Sequence, residues 1–277
     1  MSYLARRLLN EIDSVIYEPG RNIVGYRAVV SLSSYSTGEF YGKLVKAVSE
    51  IGGSLRLVKV SRSTGGEVSV LVFVEIKGDQ KQARCLLERI KSDYAFKDVK
   101  FLEPVRRGFL VDSQSFPPLF MGQRAVILSR SAYDTFLHRL REKYGAGYSA
   151  MLYHIGLNMG YHAHEDHARL VGGNIRMLIK TASALFAALG FGVIEVTRFC
   201  MDSAIVRVHD NFECELFKES NTPSSHFIRG LVAGWLAAAW KTGTENVTCI
   251  ERKCIAKGDK YCEFHATRVK RSELPDS

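Results

Sequence analysis

The feature that most restricts what this chain can fold into is a repeated switch between period-2 and helical-period apolar runs over residues 21–106. "NIVGYRAVVSLS" reads as a strand, and "TGEFYGKLVKAVSEIG" carries apolar residues at helical spacing before stopping at Gly52 and Gly53. "SLRLVKVSRS" then turns at "TGG" into "EVSVLVFVEIK", the pattern of a hairpin. "DQKQARCLLERIKSD" reads as a helix capped by Asp79, and "VKFLEPV" as a closing strand.

The order βαββαβ predicts a ferredoxin-like domain over residues 21–106, two helices on one face of an antiparallel sheet. By element order and length this region resembles the ACT regulatory domain. The resemblance implies sheet pairing between subunits, hence a homodimer, and an amino acid or similar small effector, with Gly38 at the first strand–helix turn as the loop cue. Ahead of it, Leu4, Leu8, Leu9, Ile12, Val15 and Ile16 fall near one helical face, and Pro19-Gly20 follows, so an amphipathic helix is expected over residues 1–20.

From residue 107 the pattern changes. "FPPLF" reads as a linker, "RAVILS" as a short strand, and "SAYDTFLHRLREKYG" as a helix stopped by Gly145. A second helix, "YSAMLYHIGLNMGYH", puts Met151, Leu152, Ile155 and Met159 on one face, and "GNIRMLIKTASALFAALG" is a third. Strands "GVIEVTRFC" and "SAIVRVHDNF", the helix "HFIRGLVAGWLAAAW", and strands "ENVTCIERKC" and "YCEFHATRV" follow. Residues 107–271 therefore read as an α+β domain, helices packed on an antiparallel meander, with 272–277 as a tail.

Composition bounds the function. The net charge is +9, and residues 1–107 hold 18 Lys and Arg against 12 Asp and Glu. No helix-turn-helix or zinc-finger spacing accompanies that excess, so direct nucleic-acid binding is not expected, and a partner regulatory protein would have to bring it. The longest apolar runs, residues 182–194 and 231–240, are shorter than the roughly 20 residues a bilayer requires. With no apolar N-terminal run either, the expectation is a soluble, cytoplasmic chain, in which six cysteines are better read as buried thiols or metal ligands than as disulfides.

Two clusters carry candidate chemistry. "YHAHEDH", residues 161–167, fits the H-x-H-x-D-H signature of metallo-β-lactamase hydrolases, but it follows an apolar helix and precedes another instead of ending a buried strand. A short motif outside its structural setting is coincidence more often than site, and it reads here as a solvated connector between helices. The second cluster is "CIERKCIAKGDKYCEF", in which the turn "AKGDK" brings Cys254 and Cys262 to one end of a hairpin. Glu251 lies three residues before Cys254, a spacing that puts the two on opposite faces of a regular strand unless a bulge intervenes.

The run "HFIRGLVAGWLAA" followed by "ERKCIAKGDKYCEF" resembles the C-terminal half of the 4-vinyl reductase domain, a sensory ligand-binding module. The resemblance extends over about residues 110–270 and implies a structural zinc held by Glu251, Cys254, Cys262 and a cysteine just before the glycine-rich helix. Ser225 occupies that last position, leaving Cys214 or His226 as the substitute, with Cys214 preferred as the softer donor. The small residues of the helix, Gly230, Ala233, Gly234 and Ala237 to Ala239, permit either close backbone packing or a cavity beneath. Tyr153, His154, Met177, Phe186, Phe191 and Trp235 are candidate walls of such a cavity, His154 its polar anchor. The expected protein is a non-enzymatic regulator binding a small hydrophobic or aromatic ligand. The alternative is a reductase, or accessory, acting on tetrapyrrole vinyl groups, for which the sequence offers no nicotinamide or flavin fingerprint and no iron–sulfur spacing.

Overall fold

A computed structural model describes residues 12–62, 67–217 and 222–269. It mixes helices with antiparallel sheets, and the chain divides into two compact units between Val126 and Ile127.

In the first unit a short strand β1 (Val15–Tyr17) leads to β2 (Ile23–Ser31), α1 (Leu32–Ser36), α2 (Glu39–Glu50), β3 (Ser54–Arg62), β4 (Glu67–Glu75), α3 (Gln80–Ser92) and β5 (Phe96–Leu102). The strands form an antiparallel sheet in the order β3-β4-β2-β5. Alternation decides which side each residue serves. Val68, Val70, Val72 and Val74 of β4 pack with Phe40, Leu44 and Val48 of α2 and Leu86 and Ile90 of α3, whereas Leu71 and Phe73 face the other way. Asp79 caps α3 by accepting from the Lys81 N–H at 2.9 Å.

The opposite face of this sheet is covered by residues read differently from sequence. Val15–Tyr17 forms a strand that pairs with β6 (Phe109–Val111), and Ile16 and Leu110 pack on Ile23, Phe73 and Leu102. The helix expected over residues 1–20 is therefore absent from its described end, and residues 1–11 lie outside the described residues. The same pairing carries the first unit past the expected boundary at 106, since β6 completes a layer begun at β1. A further pair, β7 (Leu119–Phe120) and β8 (Gln123–Arg124), follows, and the strand expected at "RAVILS" is reduced to its first residue.

The second unit starts with α4 (Arg130–Asp134), a π-helical turn at Thr135–Arg139 and α5 (Leu140–Val171), whose path breaks at Gly145, where φ is 62° and ψ is −138°. After α6 (Ile175–Ala188) come β9 (Val193–Phe199), β10 (Ser203–His209), α7 (His226–Ala239), β11 (Val247–Lys253) and β12 (Cys262–Arg268), with sheet order β11-β12-β10-β9. The helices α5 and α7 touch backbone to backbone. A Cβ on Gly234 would lie 1.9 Å from the Leu157 carbonyl oxygen, and one on Gly160 would lie 2.0 Å from that of Leu231. Gly156 and Gly230 are equally tight, so these glycines are required by approach, and the small-residue face of α7 is a packing surface.

That contact overturns the apolar face expected on α5. Leu152 is buried, but Met151, Ile155 and Met159 are exposed, because the inward stripe runs through Ser149, Gly156 and Gly160. Small residues carry no hydrophobic signal, so periodicity pointed at the wrong side. Among the described residues no helix is long and apolar enough to cross a membrane.

Candidate metal centre and ligand cavity

The hairpin of β11 and β12 folds back through a 3-10 turn at Ile255–Lys257 and Gly258 in the left-handed region. Its strands fall out of register between Glu251 and Lys253, the bulge needed to turn Glu251 and Cys254 to the same site. Asp259 locks the turn by accepting from the Cys254 N–H at 2.8 Å. Cys214 arrives from a short 3-10 turn after β10. One ligand atom from each of Cys214, Glu251, Cys254 and Cys262 lies within 4.8 Å of the others. His226, the other sequence candidate, is outside this group.

The four donors suit a zinc-type ion. Cys214 Sγ is 3.4 Å from Cys254 Sγ and 3.5 Å from Cys262 Sγ, close to the edge of about 3.8 Å that Zn–S bonds of about 2.3 Å give a tetrahedron. Without a cation the group is electrostatically crowded. Shared protons from Cys214 and Cys262 hold the Cys254 thiol far down, and the same contact with Cys254 pushes Cys214 far up. Burial, reinforced by the negative charge of Cys254, pushes the Glu251 carboxyl up to about 8. A divalent ion would relieve all of these at once.

A second ring of polar groups serves this centre, and sequence reasoning did not identify it. Ser225 Oγ donates to Glu251 Oε1 at 2.7 Å and lies 2.9 Å from Cys214 Sγ. Asn211, fully buried, donates to Ser225 Oγ at 2.9 Å and contacts the Cys214 and Cys262 sulfurs at 3.5 and 3.4 Å. Glu213, also fully buried, accepts from the Phe227 and Ile228 N–H groups at 3.0 and 2.9 Å and so caps α7 from a distant segment, its carboxyl pushed up to about 7 by burial against those bonds and Arg141. No local capping pattern announces a residue so far upstream of the helix. The only signal was its place in "NFECELF" beside Cys214.

A separate apolar cavity of about 90 Å³ lies among α5, α6, α7 and the sheet. Three of the expected walls, Phe186, Phe191 and Trp235, line it together with Val206, His167 and Ser183. Tyr153, His154 and Met177 do not. Tyr153 lies under the Arg229 guanidinium, 4.7 Å from ring centroid to Cζ, while His154 and Met177 face solvent. Met177 is one position off the inward stripe of α6, whose buried members are Leu178 and Phe186.

The "YHAHEDH" residues are not a connector. They continue α5 for another two turns, because nothing breaks the helix before Gly172. The helix disperses their side chains: His162 pairs with Glu165 in solvent, His164 stands edge-on to Trp235 at 5.1 Å, and His167 points inward to accept from Trp235 Nε1 at 3.2 Å. They do not assemble as metal ligands among the described residues.

Comparison with known proteins falls on this unit. Residues 204–268 match the profile of the V-4-R (vinyl-4-reductase) domain, a stretch that holds all four clustered donors, from Cys214 to the hairpin with Glu251, Cys254 and Cys262, and the supporting Asn211, Glu213 and Ser225 as well. An uncharacterized protein of Methanocaldococcus jannaschii is 31% identical over 120 residues, 43% of this chain, and the match spans 65% of that protein's length. Two solved structures overlap the chain. One is the phenol-responsive sensory domain of the transcription activator PoxR with phenol, at 15% identity over 57% of this chain and 88% of that one, with a TM-score of 0.49. The other is a vinyl-4-reductase family protein of M. jannaschii, at 18% identity over 53% and 85%, with a TM-score of 0.37.

Proposed function

We propose that this protein is a non-catalytic, ligand-sensing regulator whose second unit encloses a small apolar or aromatic molecule. The observation that carries the reading is the apolar cavity beneath α6, walled by aromatic side chains with few polar groups, the usual make-up of a small-molecule site. Its volume is below the about 150 Å³ of an engineered cavity that takes up benzene, so a one-ring guest requires the α6 side chains to yield. The vinyl-4-reductase domain match over residues 204–268 supports the same reading.

Cys214, Glu251, Cys254 and Cys262 would hold a zinc ion. Four protein ligands leave no position for water, so the ion would supply a structural crosslink and not hydrolytic chemistry. It ties the β11–β12 hairpin to the segment after β10, and Ser225 and Asn211 orient the donors by hydrogen bonds. The first unit is an ACT-like, ferredoxin-like module for homodimerisation or a second effector, a reading supported by its β3-β4-β2-β5 order with α2 and α3 on one face. Regulation follows if the ligand favours one arrangement of the protein over another.

The test is native mass spectrometry with elemental analysis of the full chain, followed by thermal titration with one-ring compounds. About one zinc per chain and a concentration-dependent rise in thermal midpoint are expected. A chain that is free of metal and shifts with no such compound contradicts the reading.

A further inference from the structure

The cavity has one polar feature whose chemistry is determined by its neighbour. Indole Nε1–H can only donate, so the 3.2 Å contact from Trp235 makes His167 Nδ1 an unprotonated acceptor. A neutral ring in that tautomer carries its proton on Nε2. Nε2 has no protein partner among the described residues, and His167 itself is 9% exposed and lines the cavity. The neutral form is the one burial favours, since desolvation, with His164 adding to it, holds His167 below the ordinary histidine range. Ser183, on α6, is the other polar side chain lining the cavity. The remaining walls are aliphatic or aromatic, and no Lys, Arg, Asp or Glu is among them.

We infer that His167 selects the ligand: its Nε2–H is a donor aimed at an oxygen acceptor, so the cavity takes small neutral molecules bearing a carbonyl or hydroxyl oxygen in preference to hydrocarbons of the same shape. This rests on the proposal that the cavity holds a ligand at all and specifies the ligand's chemistry. A hydrocarbon guest leaves the imidazole N–H desolvated and unpaired, a carboxylate enters without a countercharge, and an ammonium brings another donor to a donor. A carbonyl oxygen accepts from Nε2, and a hydroxyl can also donate to Ser183.

Benzaldehyde and styrene, nearly equal in shape and differing in the acceptor, separate the possibilities when titrated by calorimetry into the full chain. Benzaldehyde is expected to bind about 10-fold or more tighter than styrene, and His167→Leu is expected to abolish that preference. Equal binding of the two by the wild-type chain overturns the inference while leaving the cavity as a ligand site. Binding of neither overturns both. Because His167→Leu strips Trp235 of its acceptor and can fail to fold, ¹⁵N spectra of the wild-type histidine rings give an independent reading. The protonated-Nε2 tautomer, with an Nε2–H signal that moves on adding benzaldehyde and not styrene, is the expected result. A ring protonated at Nδ1, or one indifferent to benzaldehyde, refutes it.

Discussion

The cysteine hairpin and the histidine run of α5 look alike as strings: each places several metal-ligating residues within about fifteen positions. In space they are opposites. The β11–β12 hairpin reverses the chain, and its bulge and left-handed Gly258 point Glu251, Cys254 and Cys262 at one spot, where Cys214 joins them from elsewhere. The helix advances about 100° per residue, so His162, His164 and His167 go respectively to solvent, to the face of Trp235 and into the cavity. What makes a ligand set is a backbone that reverses or bulges, and proximity in sequence along a helix does not provide it.

That contrast can be broken experimentally, and the largest effect belongs to the hairpin. Cys254→Ser is expected to lose the metal and about 4 kcal/mol or more of stability, read by elemental analysis and chemical denaturation. If His162→Ala with Asp166→Ala loses metal and Cys254→Ser does not, the assignment of the two clusters is reversed. Next, Gly234→Ala drives a methyl group into the Leu157 carbonyl and should cost about 2–4 kcal/mol, whereas Gly147→Ala, with nothing within 4 Å, should gain about 0.5–1 kcal/mol. Equal effects at the two positions would mean that α5 and α7 do not touch as described.

The pH response is smaller and has a definite sign. Burial holds both His164 and His167 below the ordinary range, with Glu165 and Asp166 respectively opposing it. The unfolded chain therefore takes up protons near pH about 6.5 that the folded chain refuses, so their contribution is complete above that pH and declines as pH falls through it. Each histidine adds a slope of no more than about 1.4 kcal/mol per pH unit. His167→Gln should flatten the fall in urea midpoint between neutral and mildly acid buffer, and an unchanged slope would place His167 in water. Smallest of all, His162→Ala alone should leave stability within about 0.5 kcal/mol, since its partnership with Glu165 is exposed.

Much of the architecture was legible because strands and large apolar residues leave periodic traces. The alternation in β4, the helical spacing of α2 and α3 with the Asp79 cap, and the turn between β11 and β12 all correspond to runs a reader can mark. The bulge at Glu251 was legible too, as the condition under which a three-residue spacing brings two ligands together. The pairing of β1 with β6 was not, because strands of three residues carry too little alternation and their partners lie more than ninety positions apart. The inward side of α5 escaped for a different reason: glycines create a buried face by what they lack.

The residues by themselves determined the local chemistry of this protein: which segments extend or coil, which cysteines share a hairpin, and that any metal here would be met by sulfur and one carboxylate. Only the tertiary structure decided which side chains meet across distance, namely Cys214 rather than His226 at the cluster, Glu213 at the start of α7, and His167 rather than His154 in the cavity. The physical reason is range. Propensity and periodicity act over a few residues, whereas a buried donor or carboxylate finds its partner through packing of the whole domain, and its sequence neighbours hold no record of that partner.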